Sequence, residues 1–149
     1  MFKALLAAHL VLAVFAIGPL VHAATTAGRG IRRGDGAATA SAARVLRIYA
    51  IASLLVVAVG FGLMSAKSPY THQDVAKFSE TWIWVSLLLW VVAVALVLGV
   101  VVPTLQRASR LIAAQDSVVA LTGRVAAAGG VVGLMFLAIV VLMVYQPGG

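Results

Sequence analysis

The chain has no cysteine and only four acidic residues in 149. Without cysteine there are no disulfides, no iron–sulfur clusters and no thiolate metal sites. Charged residues make up only 10% of the sequence, against about 25% in ordinary globular domains. No Asp, Glu or Lys falls inside the long apolar runs, and Arg47 lies only at the start of one, so the buried carboxylates that ion-coupled transport uses at mid-depth are missing from them. No phosphate-binding glycine loop, nucleophile elbow or carboxylate pair occurs, so no catalytic residues are assigned and the chain is not expected to be an enzyme.

Apolar sequence fills the space. Hydrophobic residues reach 63%, more than a water-soluble core of this size can hide. Four runs, at about 5–23, 45–65, 81–103 and 125–145, approach the ~20 residues a helix needs to cross the hydrocarbon layer. Backbone groups in lipid must bond within their own segment, which favours helices. The expected fold is all-α, a single integral membrane four-helix bundle covering 1–149.

The net charge of +7 sits at the mouths of these runs and does not form a nucleic-acid surface. The segment "AGRGIRRGDGAATASAARVLR" carries Arg29, Arg32, Arg33, Arg44 and Arg47. The segment "TLQRASRLIAAQDSVVALTGR" carries Arg107, Arg110 and Arg124. The middle segment balances Lys67 and Lys77 against Asp74 and Glu80. Positively charged loops stay in the cytoplasm. The expected topology in the bacterial inner (plasma) membrane therefore has both termini and the middle loop outside. The same rule decides the fate of the first run. Lys3, an apolar stretch and Val21-His22-Ala23 resemble a signal peptide. Cleavage there would export five arginines, so the run is expected to be a retained helix. Tyr70, Phe78, Trp82, Trp84 and Tyr145 then fall at the outer interface, where amphipathic rings prefer to sit.

Local signals refine this picture. Arg29-x-x-Arg32 and Arg107-x-x-Arg110, "LMSAKSP" and "LMVYQP", and Gly18-Pro19 and Gly99…Pro103 form a weak internal repeat. They predict two parallel helical hairpins about an axis along the membrane normal. Arg47 is read as a possible start for the second helix. Asp116 or Ser117 is the expected cap of the fourth. Thr71-x-x-Asp74 resembles a capping box for a short surface helix near 72–79. Ala126, Gly129, Gly130 and Gly133 form two small-residue stripes, expected to pack against Ala58, Gly60 and Gly62 of the second helix. The third run is bulky nearly all round, a surface for lipid or another membrane protein.

Two groups of side chains have more than one reading. His9, with Met64 and Met143 near the same membrane face and His72 in the outer loop, offers the imidazole and thioether set that suits Cu(I), or a His/Met pair for haem. The alternative is that His9 bonds a neighbouring helix and the methionines pack. His9 and His22 lie about 20 Å apart along one helix, too far to hold a haem between them. Arg29, Arg32, Arg33, Arg107 and Arg110 either fix orientation and meet anionic headgroups or form a lipid or partner site.

"AHLVLAVFAIGPLV" with His9, the arginine-bearing inner loops and the final "LMVYQPG" together resemble an uncharacterised family of bacterial four-helix integral membrane proteins. That family is distantly similar to CopD-type copper-resistance domains. The resemblance implies a metal or haem role for His9. The alanine, valine, glycine and arginine bias resembles that of actinobacterial proteins. Small multi-helix chains of this build are similar to accessory subunits of the actinobacterial respiratory cytochrome bcc–oxidase supercomplex. The expectation is a non-catalytic accessory subunit without a cofactor, whose partners are anionic lipids and larger membrane subunits. The alternative is a copper- or haem-binding membrane protein.

Overall fold

The computed structural model describes residues 1–67 and 76–147. Four helices account for nearly all of it: α1 Phe2–Arg32, α2 Gly36–Met64, α3 Thr81–Ala113 and α4 Val119–Tyr145. At 1.5 Å per residue they run about 40–50 Å, well beyond a ~30 Å hydrocarbon layer. The excess lies mostly at the arginine-bearing end. The expected spans sit inside these helices, but the expected inner loops are mostly helix. Only short turns remain, at 33–35 and 114–118. The chain is a multi-pass, all-α membrane protein.

Both turns close the same way. At the end of α1 the Asp35 amide donates to Gly30 O (2.9 Å) and the Gly34 amide to Ile31 O (3.0 Å). At the end of α3 the Asp116 amide donates to Leu111 O (2.9 Å) and the Gln115 amide to Ile112 O (3.1 Å). This paired pattern satisfies the orphan carbonyls of a helix end and needs a left-handed residue between the two donors. Gly34 supplies it with φ 63°; Gln115 adopts it with φ 60° despite its side chain. Beyond the first turn, Asp35 caps α2 by accepting from the Ala38 amide at 2.8 Å. The second helix thus starts well before Arg47, because an N-cap carboxylate is available there. Neither Asp116 nor Ser117 caps α4. Its first helical residue follows Val118, which offers no side-chain oxygen. The capping box at Thr71–Asp74, Tyr70 and His72 lie outside the described residues. Lys77–Glu80, at the end of the expected surface helix, form a turn instead, with the Glu80 amide donating to Lys77 O.

The prolines of α1 and α3 explain a second shared feature. Each is preceded by a π-helical turn, Ala13–Ile17 before Pro19 and Val97–Val101 before Pro103. Proline has no N–H to donate, and its ring strikes the carbonyl one turn back. An i→i+5 turn, closed by the Gly18 amide on Ala13 O and the Val102 amide on Val97 O, displaces that carbonyl without breaking the helix. Matching π turns and matching end turns on the odd-numbered helices support the parallel-hairpin repeat.

The helices form a closed up-and-down ring, with α1 against α2 and α4, and α3 against α2 and α4. The core is densest toward the arginine-bearing half. There Leu20, Leu46, Val97, Val101, Leu105 and Val132 are fully buried. A smaller cluster of Ala76, Trp82 and Ile83, with Met64 and Leu142, closes the other end. Two packing expectations need correction. The α4 stripe meets α1, not α2: Gly129 lies directly on the Ala24 carbonyl, and a Cβ at Gly133 would stand 3.1 Å from Thr25 Cγ2. The second stripe is unused, since Gly130 faces open space and Ala126 is exposed. The α2 glycine faces α1 instead, with Gly60 beside the His9 ring. α3 is also one-sided: Ala93 and Val97 are buried while Trp84, Leu88 and Leu98 are exposed.

Gly129→Ala drives a methyl into backbone, so α1 and α4 must separate. The expected loss is about 1–3 kcal/mol, read by denaturant titration in mixed micelles, whereas Gly130→Ala should not destabilise. If both behave alike, the α1–α4 contact is misplaced. Gln115→Gly removes left-handed strain and should raise stability by about 1 kcal/mol in the same titration.

Candidate functional site

Polar groups within the spans bond mainly to the protein's own helices. His9 on α1 lies 3.1 Å from Val56 O on α2, through Nδ1. A carbonyl can only accept, so Nδ1 carries the proton and donates. Gly60 leaves room for the ring; a Cβ there would stand 3.1 Å from His9 Cε1. Between α2 and α3, Trp90 Nε1 donates to Ser53 Oγ (3.1 Å), and Ser53 Oγ donates to Ala50 O (2.7 Å). Thr25, Thr26 and Thr104 return their hydroxyl protons to carbonyls of the preceding turn. Ser86 Oγ alone is buried without a partner among the described residues.

Among the described residues, no contact brings the expected copper or haem ligands together. Met64 packs with Trp82 and Ile83 at the α2–α3 side. Met143 is 41% exposed on α4. The His9 segment of α1 packs on α2, and α4 meets α1 chiefly along Gly18–Thr26. His22 is exposed. Among the described residues, no three His, Asp or Glu side chains form a metal-binding group. An imidazole whose Nδ1 is bonded to backbone, with Met64 packed against Trp82 and Ile83 and Met143 exposed, does not by itself make a metal or haem site.

The aromatic residues at the end opposite the arginines divide by role. Trp84 and Phe78 are exposed there, with the Trp84 indole donating to Phe78 O at 2.7 Å. Phe61 stacks on Phe78 with centroids 5.7 Å apart. Tyr145 is exposed. Trp82 departs from the interface expectation: it is buried in the end cluster, and its indole donates to Glu80 Oε2 at 2.7 Å.

A concave feature lies at the arginine-bearing end, between α2 and α3. It is an open groove of about 540 Å³. From α2 it is lined by Ala40, Ala43, Arg44 and Arg47. These positions repeat at i, i+3, i+4 and i+7 and so share one helix face. From α3 come Gln106, Ser109 and Arg110. The floor is held by the Ser109 hydroxyl donating to Gly36 O at 2.9 Å and by Gly36 lying 3.3 Å, at a built Cβ, from the Ser109 carbonyl. Of the two alanines, Ala40 is exposed and Ala43 is buried in the core.

Of the arginines expected at headgroups, only Arg110 lines this groove. Arg29, Arg32 and Arg33 are exposed at the end of α1, and Arg107 points out of α3. Arg44 and Arg47 belong to the groove but stood out in the sequence only as topological charges. Their shared face becomes visible once α2 is known to be helical from Gly36 onward.

The chain matches no protein-family model, no curated protein and no solved structure.

Replacing His9 with Ala removes one interhelical bond without leaving a buried charge. The expected loss is about 0.5–1.5 kcal/mol, measured by unfolding in mixed micelles. No change would mean that the His9–Val56 contact contributes nothing to holding α1 on α2.

Proposed function

We propose that this chain is a non-catalytic accessory subunit of a larger inner-membrane complex. It would sit with its arginine-bearing end in the cytoplasm and both termini outside. One observation supports the reading above others: the polar side chains of the spans bond chiefly within the protein, around a core whose largest members are fully buried. Such a bundle has packing surface to offer and little chemistry. Its outward surface in the spans is apolar, with Leu10, Val11, Val14 and Phe15 exposed on α1 and Trp84 and Leu88 on α3. Partner helices in lipid are recognised by the shape of such faces, since apolar area alone drives no association there. Composition and size make the respiratory cytochrome bcc–oxidase assembly the first complex to examine.

Native extraction in a mild detergent, followed by native electrophoresis and mass spectrometry, tests the proposal. The chain should migrate with larger membrane subunits. Recovery solely as a free monomer or homodimer would overturn it.

A further inference from the structure

We infer that the groove between α2 and α3 is a binding site for the phosphate headgroup of an anionic phospholipid. Three arginines, Arg44, Arg47 and Arg110, line one concavity together with Gln106. No carboxylate lines it. Among the described acids, Asp35 accepts from the Ala38 amide, Asp116 sits in the turn after α3 and does not line the groove, and Glu80 accepts from Lys77 and Trp82 at the far end. The positive charge in the groove is therefore free for an external anion. Guanidinium groups suit phosphate because two N–H groups can meet two oxygens at once.

The position of the groove selects a lipid over a soluble phosphate. Arg47 is the last charged residue on α2 before an unbroken apolar stretch. Directly above the arginines on the same face stand Ile48, Ile51 and Leu55, each more than half exposed. The cup thus continues into an apolar wall that an acyl chain can cover. A free phosphate would use the cup and leave the wall idle.

The internal repeat supplies a comparison. Aligning Pro19 with Pro103 sets His22 against Gln106 and Thr26 against Arg110. The α1–α4 crevice, which corresponds to α2–α3 in the repeat, is closed where Gly129 meets Ala24. Of two related crevices, one is sealed by small residues and the other is open and lined with arginine. General orientation by positive charge needs no such concavity.

The test is native mass spectrometry of the full chain in detergent, titrated with dioleoylphosphatidylglycerol or dioleoylphosphatidylcholine. The wild type should retain phosphatidylglycerol preferentially. Arg44→Gln, Arg47→Gln and Arg110→Gln should each weaken it by more than about ten-fold, the loss of one charge-assisted hydrogen bond. Arg124→Gln removes the same charge from the same end outside the groove and should change binding by no more than about five-fold, the effect of one cation near a lipid surface. Helical circular dichroism of each variant confirms folding, and all four arginines are exposed. Equal losses for Arg47→Gln and Arg124→Gln would reduce the site to diffuse surface charge and overturn the inference. So would equal binding of phosphatidylcholine. Displacement of phosphatidylglycerol by millimolar inorganic phosphate would assign the groove to a soluble anion instead.

Discussion

In hydrocarbon a peptide group has no water to replace a lost partner, and this rule orders the structure more than any single contact. It makes the four runs helical and keeps them helical through Pro19 and Pro103, where an ordinary turn would fail. The π turns ahead of both prolines keep the ladder closed at those points. The same demand is met at the helix ends by the paired end turns at Gly34 and Gln115. Side chains follow suit, with His9, Ser53, Thr25, Thr26 and Thr104 bonding to carbonyls and Trp90 donating to Ser53.

A second consequence concerns where helices stop. Because end turns and the Asp35 cap satisfy the terminal groups, the helices extend past the apolar layer and carry the arginines on rigid scaffolding. Arginines on flexible loops would be mobile charges. On helix faces they acquire fixed neighbours, and a groove with a defined floor becomes available between α2 and α3. The accessory-subunit and lipid-site readings are compatible: a bundle with an apolar exterior can dock in the membrane plane while one crevice holds a headgroup.

Glycine placement decides which helices meet. Gly129 admits the α1 backbone at Ala24, and Gly60 admits the His9 ring. Both contacts bring α1 into the ring, one from each side. Helix α1 is therefore a full member of the bundle, bonded to α2 and pressed on α4, although its first residues read like an export signal.

The number of helices, their membrane setting and the shared proline signals of α1 and α3 were legible from sequence, because they rest on run length, charge and local chemistry. The Asp35 cap was equally local, yet it was hidden by the polar, glycine-bearing stretch around it, which reads as loop. Three matters needed the tertiary structure. One was the partner of the α4 glycine stripe, since several helices in the chain carry small residues and only the ring geometry selects α1. Another was which partners His9 and Met64 take, His9 bonding to Val56 O and Met64 packing on Trp82 and Ile83, since equal depth in a membrane does not imply a shared contact. The last was the groove, whose arginines come from helices remote in sequence. Periodicity states what each helix face carries; which faces meet depends on how four cylinders share one core, and that is a property of the whole packing.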